Sequence, residues 1–278
     1  MSNIIIDNMT FKSKVFNNEQ KFNSLMKLVR TGKYSAPKLA NIFSCDRKTI
    51  HRILNHNGTF LPNLGRFKKK VYCNTDFFKN LNATSAYWAG FIAADGCLYT
   101  KYKNLSISLK KSDVGHLFKF KNAIKTNAKI SHIKSNNSVR ISIYSIKIFD
   151  SLVALGIEPK KSLSIQKIQI PSHLISHSIR GVFDGDGSIS GKKITHVQFQ
   201  IAGNKPFLEQ IQDILIKECG VNKVKIYPLN SKNKIHRLQY TGSQIFEILK
   251  FIYKESTNQT RLERKYRKYI SFKQKFRK

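Results

Sequence analysis

Apolar residues recur at helical spacing near the start of the chain, where Phe22, Leu25, Met26, Leu28 and Val29 predict a helix over Glu19–Arg30. Gly32 stops it. Ser35-Ala36-Pro37 then predicts a new start, with Ser35 as cap and Pro37 in the first turn. Leu39, Ala40 and Phe43 continue that apolar face until Ser44-Cys45-Asp46 interrupts it. A further short helix, from about Arg47 to Asn55, carries Ile50, Ile53 and Leu54, and Asn57-Gly58 closes it. Two short helices with facing apolar sides predict a helix-turn-helix, with Ser44 at the turn position that usually takes glycine. The outward face of the later helix bears Arg47, Lys48, His51 and Arg52, which suits a recognition helix in a major groove. A helical hairpin with a solvated basic face fits the same pattern. Residues 58–83 show no period and include Arg66-Phe67-Lys68-Lys69-Lys70. They read as a basic linker, either following phosphates or serving as a solvated tether.

From Thr84 onward the pattern repeats. The first copy opens on Tyr87-Trp88-Ala89-Gly90-Phe91-Ile92-Ala93-Ala94-Asp95-Gly96, the second on Ser178-Ile179-Arg180-Gly181-Val182-Phe183-Asp184-Gly185-Asp186-Gly187. An alternating strand follows each, Leu105–Leu109 in one and Val197–Ile201 in the other. Amphipathic helices come next, with Leu117, Phe120 and Ile124 matched by Leu208, Ile211 and Leu215. Val139–Tyr144 then aligns with His236–Thr241, and Phe149 and Leu152 with Phe246 and Leu249. Each half reads as αββαββα, so the expected class is α+β. Two pseudo-symmetric repeats would form a saddle of antiparallel sheets beside a small all-α helix-turn-helix domain. The expected divisions are 1–57 for the arm and helix-turn-helix, 58–83 for the linker, 84–170 for the first repeat and 171–278 for the second.

Strand alternation sorts the side chains onto two faces. Leu105, Ile107 and Leu109 oppose Ser106, Ser108 and Lys110, while Val139, Ile141 and Ile143 oppose Arg140, Ser142 and Tyr144. In the second copy Gln198 and Gln200 share the polar face with Arg237, Gln239 and Thr241. A half-solvated antiparallel sheet has this pattern too. Composition adds weight to an interface: 50 Lys+Arg stand against 16 Asp+Glu, a formal charge of +34. That imbalance calls for a polyanion, and nucleic acid is the first candidate, ahead of an anionic membrane or a ribosomal assembly. Arg, Gln, Ser and Tyr on both polar faces are side chains that hold phosphates and read base edges.

Cys45, Cys73, Cys97 and Cys219 form no CxxC pair and no His cluster accompanies them, so neither a zinc site nor a disulfide framework is expected. Met1–Phe16 lacks the apolar core of a signal peptide and no run is long enough to span a bilayer, so an intracellular, non-membrane protein is expected.

Within the two motifs, Gly90 and Ala94, and Gly181 and Gly185, lie four apart on one helix face, where a pair of helices can approach closely. Gly96 and Gly187 are expected as C-cap glycines. Asp95 and Asp186 therefore sit at helix C-termini, the end already made negative by exposed carbonyls. A hard divalent cation relieves that arrangement, and carboxylates with carbonyl oxygens, including those of Gly96 and Gly187, are the donors Mg²⁺ prefers. Metals shared between two helix ends suit phosphodiester cleavage.

The two decamers resemble the LAGLIDADG motifs of monomeric homing endonucleases and their maturase relatives, over roughly residues 84–270. The resemblance implies a monomer that grips a long asymmetric site in double-stranded DNA, with Asp95 and Asp186 on catalytic Mg²⁺ or, as a substitute, Mn²⁺. It implies intron homing or a related gene-mobility role. Ala93 departs from the acidic consensus that Asp184 keeps. Gly156-Ile157-Glu158-Pro159-Lys160-Lys161-Ser162 is similar to a family turn that nominates Lys161 as a catalytic basic residue near the scissile phosphates, and Leu262-Glu263-Arg264-Lys265 nominates Lys265. Gln200 and Lys110 fall near strand ends where relatives position water. Two other readings share the scaffold: a maturase that binds intron RNA, and a transcriptional regulator on a decayed nuclease.

Overall fold

A computed structural model of the chain describes residues 19–59, 61, 71–159, 167–191, 196–229 and 235–275. They divide into two compact units, one within Met1–Lys70 and the other within Val71–Lys278.

In the smaller unit, helices α1 (Glu19–Arg30), α2 (Ala36–Ile42) and α3 (Arg47–His56) surround a core of Leu25, Val29, Leu39, Ala40, Ile50, Ile53 and Leu54. Ser35 stands at the N-cap of α2, but its side chain makes no capping bond; Pro37 in the first turn does the pre-organising. Asp46 caps α3 by accepting from Lys48 N at 2.6 Å. Ser44 has φ 49°, so the turn between α2 and α3 does use the left-handed conformation that glycine takes most easily.

In the larger unit, α4 (Ala83–Asp95) leads into strands β1 (Gly96–Tyr99) and β2 (Asn104–Lys110), helix α5 (Val114–Ala123), strands β3 (Ser131–Ile133) and β4 (Ser138–Tyr144), and α6 (Ile146–Ala154). The second half repeats the series with α7 (Ile175–Asp186), β5 (Gly187–Ser190), β6 (Gln198–Asn204), α8 (Lys205–Cys219), β7 (Tyr227–Pro228), β8 (Ile235–Thr241) and α9 (Gln244–Tyr253). A closing helix, α10 (Glu263–Lys275), extends beyond the expected series. Two antiparallel four-stranded sheets result, in the orders β1-β2-β4-β3 and β5-β6-β8-β7. Helices α5 and α6 pack on the first sheet and α8 and α9 on the second. The apolar strand residues Leu105, Ile107, Val139, Ile141, Phe199, Ile201 and Leu238 form one continuous core with these helices.

Two corrections to the sequence reading follow. The unit boundary falls after Lys70, not at residue 83. Phe77 and Phe78 enter the larger core, and Asn74 N donates to Ile124 O at 2.8 Å, so 71–82 belong to the repeat and not to a tether. The first strands of the two halves also match differently. Gly96 pairs with Ile107 and Gly187 with Ile201, which makes Ser106 the counterpart of Gln200. Aligning Leu109 with Ile201 slips the register by two residues.

The two motif helices pack on each other along their length. A Cβ built on Gly90 would lie 2.0 Å from Ser178 O, and one on Gly181 would lie 2.0 Å from Tyr87 O and 2.6 Å from Phe91 N. Only glycine permits this approach, because the clashing atoms are backbone. Gly181→Ala is expected to destabilise the larger unit by about 1–3 kcal/mol. Calorimetry checks it: an unchanged melting temperature would remove the glycine seam from this account.

Candidate active site and nucleic-acid face

Helix α4 starts on a capping box, with Asn82 Oδ1 accepting from Thr84 N and Ser85 N while Ser85 Oγ accepts from Asn82 N at 2.8 Å. The helix is buried on all sides and ends at Asp95; α7 ends correspondingly at Asp186. Gly96 and Gly187 are the C-caps, but both are extended, with φ −78° and −90°. Glycine is required there for space, not for a left-handed turn. A Cβ would lie 2.6 Å from Ile92 Cγ2 at Gly96 and 2.2 Å from Phe183 Cδ2 at Gly187.

The two helix ends come together. A Cβ built on Gly185 lies 2.3 Å from Ala94 Cβ and 3.5 Å from Asp95 Oδ2, so the Asp95 carboxylate reaches the last turn of α7, beside Asp186. Asp95 is half-buried and Asp186 exposed. Among the described residues no cluster of three or more His, Cys, Asp or Glu could hold a metal. The donors here are two carboxylates at the negative ends of two helices, an oxygen-only set that fits a hard divalent ion.

Lys265 is 5% exposed and its Nζ lies beneath this pair. It donates to the carbonyls of Phe183, Asp184, Gly185 and Gly187 at 2.7, 2.8, 3.2 and 2.6 Å. Burial pulls its pKa down to about 8, opposed by the charges of Asp184, Asp95 and Asp186. The nominated lysine is thus a buried cation that donates to carbonyls at the C-terminus of α7. The Gly187 carbonyl, expected as a metal donor, accepts one of these bonds. Lys161 lies outside the described residues.

A buried polar network that sequence reasoning did not assemble adjoins the helix pair. Asp184, 1% exposed, accepts from Tyr87 Oη at 2.9 Å, Tyr253 Oη at 3.0 Å and Leu262 N at 2.7 Å. Burial raises its pKa to about 6, against these bonds and the Lys265 charge. Arg180 is fully buried and donates to Thr260 O and Ile252 O, both at 2.7 Å. Lys119 of the first repeat holds Arg261 O and Asn258 Oδ1 at 3.1 Å. Segment 258–265 is therefore tied to both repeats, which is how Lys265 comes to lie under α7. The signal was an arginine inside an apolar helix, at position 180.

The polar faces form rows across each sheet. In the first, Cys97, Ser106 and Ser142 share a row, and Ser108, Arg140 and Ser131 the next. Ser106 is buried and bonded to Ser142 at 3.4 Å, while Lys110, Arg140 and Tyr144 are exposed. In the second, Ser188, Gln200 and Gln239 align, then Ala202, Arg237 and Tyr227. Gln198, opposite the exposed Thr241, lies two residues before Gln200 on the same face. In the smaller unit Arg47, Lys48, His51 and Arg52 are all exposed on α3.

The chain is similar to several solved structures. Mesophilic variants of the homing endonuclease I-DmoI match at TM-score 0.47 with 16% identity, over 72% of this chain and 99% of theirs. The I-LtrWI LAGLIDADG homing endonuclease bound to target DNA matches at 0.45 with 12% identity, over 72% and 90%. Full-length DUF199/WhiA from Thermatoga maritima matches at 0.46 with 18% identity, over 72% and 65%. These likenesses concern the fold alone. No protein-family model and no curated protein matches the chain. No helix among the described residues is long and apolar enough to cross a membrane.

Proposed function

We propose that this chain is a site-specific, divalent-metal-dependent endonuclease that acts as a monomer on a long asymmetric site in double-stranded DNA. The observation that carries the reading is the meeting of Asp95 with the end of α7 beside Asp186, between two sheets whose outer faces are polar. Asp95 and Asp186 would hold the cation. When bound, Mg²⁺ supplies a water of lowered pKa and neutralises charge at the departing 3′ oxygen. The Lys265 ammonium offsets the negative potential at the end of α7, where Asp186 stands. Residues on the sheet faces hold the duplex, and a charge of +34 makes association strongly salt-dependent. Incubation with randomised duplexes and Mg²⁺, followed by sequencing of cut ends, is expected to yield one defined site, and EDTA is expected to abolish it. Ends no more frequent than in a protein-free control would sink the reading.

The smaller unit would add a second DNA contact through α3, raising affinity by effective concentration. Replacing Arg47 and Lys48 together by Ala is expected to lower the slope of log K against log salt by about 2. A slope equal to that of the unaltered protein would exclude α3 from the complex.

A further inference from the structure

The second sheet carries a chain of three amides. Gln200 Nε2 donates to Gln198 Oε1 at 2.7 Å and to Gln239 Oε1 at 3.1 Å. Both amide hydrogens of Gln200 are thereby used. What the trio can still offer is the Gln198 amide group as donor, Gln200 Oε1 as acceptor and the Gln239 amide group as donor. All three side chains are half-buried, and no other hydrogen bond engages them among the described residues. The row is therefore a fixed pattern of donor, acceptor, donor.

The major-groove edge of an A·T pair presents the complement: acceptor at adenine N7, donor at adenine N6, acceptor at thymine O4. A G·C pair presents acceptor, acceptor, donor, and so places a guanine O6 against Gln200 Oε1 and a cytosine amine against an amide donor. Two mismatched contacts would leave desolvated polar groups unpaired.

At the positions of Gln198, Gln200 and Gln239 the first sheet has Asn104, Ser106 and Ser142, of which Asn104 and Ser106 are buried. They present no such row. Its forward base-reading group is Arg140, exposed, with Nε held by Ser108 Oγ at 2.8 Å. That bond engages Nε and leaves both terminal nitrogens, on an exposed side chain, without a hydrogen-bond partner among the described residues. Two adjacent acceptors occur in the major groove on guanine, at N7 and O6.

We infer that the two sheets read different bases: the Gln198–Gln200–Gln239 trio an A·T pair, and Arg140 the guanine of a G·C pair in the opposite half of the target. The inference rests on the endonuclease reading and supplies what that reading lacks, the chemical identity of one position in each half-site.

The test is selection of bound sequences from randomised duplexes, without divalent metal, by the full-length protein and by Arg140→Ala, Gln200→Ala and Gln200→Glu. Thermal unfolding of each variant verifies that it is folded. Arg140→Ala is expected to relax a G·C preference of about 10–100-fold at one position. Gln200→Ala should relax an A·T preference of about the same size at a position in the other half. Gln200→Glu, which removes the amide donor that holds Gln198 and Gln239 in place, should relax the same position as Gln200→Ala does. The inference is overturned if folded variants leave every position unchanged, or if the position relaxed by Gln200→Ala is G·C. If the unaltered protein enriches no sequence at all, the site-specific reading itself falls, a result distinct from either.

Discussion

Asp95→Asn and Asp186→Asn are each expected to lower Mg²⁺-dependent DNA cleavage by about 10³-fold or more while leaving DNA binding intact or slightly tighter. The size follows from the role assigned to the carboxylates. A bound divalent ion stabilises transition-state charge by several kcal/mol, and each 1.36 kcal/mol is about tenfold in rate. Asparagine keeps the shape and one carbonyl oxygen but loses the full charge that holds a hard cation at a helix C-terminus. Binding should survive because removing a negative charge from a surface that faces phosphates cannot weaken attraction to them. Because Asp95 reaches the end of α7, the two substitutions fall on one constellation, and the double variant should be little worse than either alone. Cleavage and gel-shift assays on the same preparations decide it. A double variant that still cuts at the unaltered rate would remove metal catalysis by this pair.

Lys265→Met carries the second large effect, on stability. Three main-chain carbonyls of α7 and that of Gly187 converge on this one ammonium, and methionine has the length to fill the space but no proton to give them. Buried acceptors left without a donor, together with the loss of a counter-charge near Asp184, are expected to cost about 3–5 kcal/mol. For a unit of this size that lowers the melting temperature by about 10 °C. Cleavage should fall as well, because the last turn of α7 positions Asp186. A variant melting within a degree of the parent would show that water satisfies those carbonyls unaided.

Most of the architecture was legible from alternation and helical spacing. The strands around Leu105–Leu109 and Val139–Tyr144, and the glycines that seat one motif helix on the other, lie where their patterns put them. The two-residue slip between Leu109 and Ile201 has a plain cause. Side chains alternate with period two, so a slip of two preserves every face and leaves no trace in polarity; only cross-strand pairing reveals it. Phe77 and Phe78 were missed because their segment is held by loop bonds and core contacts without any period. Helix α10 was masked by charge: Tyr266, Tyr269 and Ile270 supply its inner face, but Lys and Arg crowd the positions between them. At the site, the motif spacing placed Asp95 and Asp186. What no local pattern conveys is the burial of Lys265 and Asp184, which depends on segment 258–265 folding back from far along the chain.

That fold-back makes the halves unequal partners. Eight residues before Asp95 stands Tyr87, and eight before Asp186 stands Ser178; Ala93 occupies the place where the other motif has Asp184. Two copies of the second half, docked on each other as the first half docks on it, would each bury a carboxylate with no phenol from across the seam. Two copies of the first would bring phenols with no carboxylate to receive them. The Tyr87–Asp184 bond thus runs one way across the seam, and neither half alone supplies both of its partners.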